Sequence, residues 1–201
     1  MGIGYMDQLP IPAENKKVVP VTFDHQKRLI ALFRALNRDP RFAPYATQVN
    51  IINVQSGHPF TQGKGTIVLP LAFYGWPQEK QFKVLFHEHV HLHQRAHPHW
   101  YTRYYGKIGF TRATISFPPE VEKRLMYNPD GEKYEWIWRG KSGRSYIPVG
   151  IDHKTFLIPT TGHGQVLPVN DVPEYARAFG INRQLYHPNE IVAHQITDGL
   201  L

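Results

Sequence analysis

Five consecutive residues, His87-Glu88-His89-Val90-His91, carry the chemistry of this chain. They read H-E-x-x-H. On a helix, His87 and His91 stand one above the other on one face and can grip a single metal ion. Glu88 follows the first histidine and can reach a water held by that metal, as its base. The chemistry expected is hydrolysis by a metal-activated water, with zinc as the ion and a peptide bond as the usual target.

The segment is crowded with histidine, and helix geometry sorts it. At about 100° per residue, Phe82, Leu85, Phe86, Leu92 and Ala96 share one side. His89 and His93 fall near the middle of that apolar side. They are expected to be partly buried and bonded to backbone or carboxylate. His87 and His91 point away from it, and only this pair has a glutamate directly after the leading histidine.

The chain has no cysteine, so any metal must sit on His, Asp or Glu. Catalytic zinc usually takes three protein ligands plus water. Two residues compete for the third place. Glu190 lies in His187-Pro188-Asn189-Glu190-Ile191-Val192-Ala193-His194, where Pro188 suits the first position of a helix and Glu190 faces one way with His194. His97 lies three residues beyond Gln94. A helix continued through Gln94 and Arg95, both good helix formers, carries His97 off the face of His87 and His91. Glu190 is favoured and His97 stays open.

Each candidate resembles a known pattern. Asn189, Glu190 and Ala193 resemble the second helix of gluzincins, N-E-x-x-x-D or E-x-x-A-D, with His194 in place of the terminal Asp. That leaves the supporting role of the Asp without its usual residue. His87-Glu88-x-x-His91-x-x-Gln94-x-x-His97 resembles the metzincin motif, with Gln94 where a chain-turning glycine belongs. Leu125-Met126-Tyr127 resembles the metzincin Met-turn. Further short motifs are similar to small zincin-like peptidases over roughly residues 80 to 200. These are His91-x-x-Gln94-Arg95, Tyr104-Tyr105 with Gly109-Phe110, Asn128-Pro129-Asp130 and His187-Pro188-x-Glu190.

The resemblance implies a zinc-dependent peptidase with Glu88 as general base and zinc on His87, His91 and Glu190. It also implies a Tyr or His that stabilises the oxyanion. Tyr186, His187, His163, Tyr146 and Tyr127 are candidates. Tyr186 and His187 come first because they adjoin the Glu190 helix.

The elements around these residues read as α+β. Asp24 to Asn37 is expected to be a helix capped by Asp24, with Leu29, Ile30, Leu32, Phe33 and Leu36 as its apolar stripe. Val49 to Val54 and Thr66 to Leu71 read as strands, joined by a loop. The metal helix spans about Gln78 to Ala96, with Pro98 ending it. His99 to Lys107 and Glu120 to Met126 read as further helix. Tyr134 to Trp138, Ser145 to Ile151 and Thr155 to Ile158 read as strands, Val172 to Phe179 as a short helix and Pro188 to Leu200 as the last one. The expected whole is a single zincin-like domain over 1–201: an arm over 1–20, a small sheet packed on the H-E-x-x-H helix, a β-hairpin lobe at about 130–160 and a C-terminal helix.

Composition narrows the function classes. With 41% hydrophobic residues and 13% aromatic, the chain belongs among globular proteins. No apolar run approaches the roughly 20 residues of a membrane span. Met1 to Pro20 lacks the apolar block of a secretory signal, and with no cysteine a cytoplasmic setting is expected. The net charge of +7 favours acidic partners, nucleic acid included. The basic residues are scattered, however, and the densest stretch, Arg139 to Arg144, reads as a solvated hairpin tip. The expected partner is a peptide or protein substrate. Two other classes stay open: a DNA-associated zincin acting on nucleic-acid-bound protein, and a noncatalytic binding protein that uses the metal as a clamp.

Overall fold

Short β-branched strands and proline-started helices build two units. One holds the chain up to Ala96 together with the chain from Ala193; the other is His97–Val192. The computed structural model describes residues 17–126, 134–161, 164–181 and 185–199.

The first unit opens with β1 (Val18–Val19) and α1 (Phe23–Leu36). Thr22, not Asp24, caps α1: its hydroxyl accepts the His25 N–H at 3.2 Å. Asp24 instead lies in the first turn, where its charge complements the helix dipole. Leu29, Leu32 and Leu36 are buried, while Ile30 is 52% exposed. The apolar stripe is therefore narrower than expected.

Strands β2 (Asn50–Val54), β3 (Phe60–Gln62) and β4 (Thr66–Pro70) complete a sheet in the order β1-β2-β4-β3. β2 and β4 run parallel, with Ile52 opposite Val68; β1 and β3 are antiparallel edges. Ile67, Val68 and Leu69 are all fully buried, so both faces of β4 are covered.

Helix α2 (Gln78–Ala96) carries the H-E-x-x-H residues over the bounds expected from the sequence. Gln81 fixes its first turns. It is fully buried, donates to the Phe73 carbonyl at 2.6 Å and accepts from Arg28 of α1 at 3.0 Å. Near the other end, Arg95 donates to the carbonyls of Thr61 and Gly63 at the β3 end of the sheet.

The second unit starts with α3 (Pro98–Lys107) and α4 (Pro119–Glu122), with β5 (Phe110–Arg112) between them. Strands β6 (Trp136–Arg139), β7 (Ser145–Ile151), β8 (Lys154–Pro159) and β9 (Leu167–Pro168) follow, then α5 (Pro173–Phe179) and α6 (Pro188–Thr197). All four of these helices begin on proline, whose missing N–H costs nothing at that position. The strands form a five-stranded antiparallel sheet in chain order, β5 to β9. The hairpin expected to stand as a small lobe is the middle of this sheet. Val121, Leu125, Val149, Ile151 and Ile158 form its buried cluster.

The Arg139–Arg144 tip is clasped rather than loose. Ser142 donates through N–H and Oγ–H to the two Glu174 oxygens, at 3.1 and 2.6 Å. These bonds, with Arg144 and Arg177 nearby, hold the Glu174 carboxyl below its usual range. A Cβ at Gly140 would lie 2.2 Å from Glu174 Cδ, so glycine is what lets the carboxylate in.

Helix α6 belongs to both units, divided between Val192 and Ala193. Among the described residues no helix is long and apolar enough to cross a membrane.

Candidate metal centre

Two helices supply the site. On α2, His87 is half-buried, while Glu88 and His91 are 4% and 1% exposed. The Nε2 atoms of His87 and His91 face each other at 2.9 Å, with ring centroids 4.5 Å apart. An ion held by two imidazoles at about 2.0–2.1 Å in a tetrahedral shell sets their nitrogens roughly 3.3 Å apart. The two side chains therefore converge as a shared ion needs, within a few tenths of an ångström.

The Nδ1 of His91 lies 2.7 Å from the Gln94 side-chain oxygen. An amide oxygen only accepts, so the proton sits on Nδ1 and the Nε2 lone pair faces His87. This is the outer hydrogen bond that fixes the tautomer of a metal-binding histidine.

The beginning of α6 is held within the second unit. Asn189 accepts from the Tyr105 hydroxyl of α3 at 2.6 Å. His187 caps the helix, its Nδ1 accepting the Asn189 N–H at 3.2 Å. The Tyr175 hydroxyl donates to the Leu185 carbonyl at 2.6 Å and steadies the approach. These contacts fix the turn that carries Glu190, which is 8% exposed.

His87, Glu190 and His194 each offer a ligand atom, and these atoms lie within 4.8 Å of one another. His194 belongs to the same unit as His87, with ring centroids 4.6 Å apart, and Glu190 is one turn earlier on the same helix. The structure thus brings His87 and Glu190 together. It adds His194 to them and sets His91 against His87. The donors are imidazole nitrogens and a carboxylate oxygen, the set that zinc takes when no thiolate is present. Burying carboxylates is costly unless they are paired or ligate a metal, and a divalent ion here would balance that charge.

The other residues singled out from the sequence lie as follows. His97 is exposed at the break between α2 and α3. His89 is buried, its Nδ1 donating to the Leu85 carbonyl at 2.7 Å, and Phe33 and Phe42 pack against its ring. Burial holds its pKa below the usual imidazole range, against the opposing pull of that carbonyl. His93 packs edge-on to Tyr45. Tyr186 is buried with its ring against Gly150. His187 is buried, edge-on to Trp136. Tyr146 stacks on Trp138. Met126 takes the Tyr134 hydroxyl on its carbonyl and the His153 N–H on its sulfur. Tyr127, Asn128-Pro129-Asp130 and His163 lie outside the described residues.

Sequence reasoning gave no site role to Gln94 and no ligand role to His194. The signal for His194 was present, since it shares a helix face with Glu190. The signal for Gln94 was its i,i+3 relation to His91.

Comparison with known protein families, with curated proteins and with solved structures finds no match to this chain.

Proposed function

We propose that this protein is a zinc-dependent peptidase of the zincin type. The observation that carries the reading is the convergence of His87 and Glu190, from two helices far apart in sequence, beside the H-E-x-x-H pair. The small sheet and α2 of the first unit agree with the α+β plan that a zincin requires.

His87, His91 and Glu190 would hold the ion. Zinc in this position would lower the pKa of a water and polarise the scissile carbonyl. Glu88, next to His87 in the chain, would take the proton from the attacking water and return it to the leaving amine. His187 accepts a backbone N–H on Nδ1, so its ring proton is on Nε2 and it serves as a donor to the oxyanion. Tyr186 is the second such donor.

The test pairs metal analysis with one substitution. The purified protein is expected to carry about one zinc per chain. Glu88→Gln is expected to keep the zinc and the fold, and to slow peptide hydrolysis by about 10²–10⁴-fold. Near-normal turnover in that variant would remove Glu88 as the base. Zinc binding without any hydrolysis in the wild type would leave the metal as a structural clamp.

One observation favours a second reading, a zincin that acts on protein bound to nucleic acid. On α3, Trp100 is 55% exposed and stacks on Tyr104, with rings 9° from parallel at 5.8 Å. Arg103 and Lys107 are exposed beside them, and the helix has no acidic residue. Aromatic faces with cations suit stacked bases of a single strand. Salt-sensitive binding of a single-stranded oligonucleotide, lost in Trp100→Ala, would support this reading. Salt-independent or absent binding would end it.

A further inference from the structure

An imidazole occupies the place where the gluzincin pattern has a carboxylate. His194 follows Glu190 by one helical turn, on the same face of α6. Its ring lies 4.6 Å from that of His87, and both have a ligand atom within 4.8 Å of one on Glu190. A carboxylate there would accept a hydrogen bond from a histidine ligand. An imidazole brings another nitrogen lone pair, the commonest protein donor to a metal.

We propose that His194 is a direct metal donor, in one ligand group with His87 and Glu190. The proposal rests on the zinc reading above and adds a ligand to the same site.

His91 is almost fully buried and its Nδ1 is pinned by Gln94. Glu190 is buried in the first turn of α6, which Tyr105 and His187 brace through Asn189. His194 is half-buried in the last turn of α6, five residues before Gly199. Four protein donors close a tetrahedral zinc shell, as in structural sites, whereas catalytic sites keep three and leave a position for water. His87, Glu190 and His194 would supply three such donors and leave the position for water.

The test uses the full-length protein loaded with Co²⁺, whose visible absorption bands report the donor set and coordination number. Zn²⁺ affinity is measured by competition. Wild type is expected to bind one ion with four-coordinate bands. His194→Ala is expected to keep one ion, shift those bands, and regain the wild-type spectrum when free imidazole is added. Partners outside the first shell are worth about 10–100-fold in metal affinity, so loss of a direct donor is expected to cost ~100-fold or more. His194→Gln, closer in size and a poor zinc ligand, should show the same band shift and guards against a folding defect in the alanine variant.

Unmoved bands with unchanged affinity would overturn the proposal and leave the zinc reading intact. Weakened affinity with unmoved bands would make His194 a positioning residue for His87, and would also overturn it. A wild-type protein that binds no metal would bring down both.

Discussion

Gln94 holds His91 by an amide oxygen 2.7 Å from Nδ1, and so decides which nitrogen of His91 is offered to a metal. The same residue stands where the metzincin pattern has glycine, and in sequence it counted against His97 and as part of the His91-x-x-Gln94-Arg95 motif. In the structure it is buried, 4% exposed, one turn beyond His91 on α2. Replacing it should therefore act through the metal. Gln94→Leu is expected to weaken Zn²⁺ binding by about 10–100-fold, with the helix retained. Gln94→Glu keeps an acceptor and should bind zinc at least as tightly as wild type. Competition titrations measure both, and a leucine variant with wild-type affinity would dismiss the role.

The two candidates for third ligand should separate cleanly. His97 is exposed where α2 gives way to α3, whereas Glu190 is buried and shares a ligand cluster with His87. His97→Ala should leave zinc content after dialysis unchanged. Glu190→Ala should lower affinity by ~100-fold or more, above the range for outer partners. The reverse pattern would return the site to the metzincin arrangement.

Much of this was legible in the sequence, for identifiable reasons. Pro77 precedes α2, Pro98 follows it, and a helical apolar period runs between them, so its bounds could be read directly. Pro188 announced α6 in the same way. The strands that escaped notice are β1, β3, β5 and β9, of two or three residues each. So few residues show no alternation, and their partners lie far off, as Phe110 pairs with Trp138. The contact between His194 and His87 was hidden for the same reason: the helix face was legible, but what the face meets is set by tertiary packing.

Gly150 should be intolerant of any side chain. A Cβ there would lie 2.6 Å from Cε1 and 2.8 Å from Cζ of Tyr186. Tyr186 is 4% exposed and cannot swing into solvent cheaply. Gly150→Ala is expected to cost about 1–3 kcal/mol in denaturant unfolding, the range for overpacking. In a double-mutant cycle with Tyr186→Leu, most of that cost should vanish, because the smaller side chain vacates the contact. Simple additivity of the two changes would show that the close approach is not what constrains position 150.

The β7–β8 hairpin turns through Asp152 and His153 alone, since Ile151 pairs directly with Lys154. Both turn residues have positive φ, 48° and 59°. Two-residue hairpin turns of this kind favour Asn-Gly, because the mirror-image turn matches the strand twist but strains ordinary side chains. The left-handed conformation costs an L-residue roughly 1–2 kcal/mol, and glycine returns about 0.5–1 kcal/mol of that as chain entropy. His153→Gly should therefore stabilise the fold by ~0.5 kcal/mol, the difference of those two effects. The His153 N–H still reaches the Met126 sulfur at 2.9 Å, because that bond comes from the backbone. His153→Val should act oppositely, since a β-branched side chain tolerates positive φ least. Thermal unfolding of the two variants beside wild type gives the answer. A midpoint that falls for glycine, or holds for valine, would mean that the turn is not under the strain its dihedral angles imply.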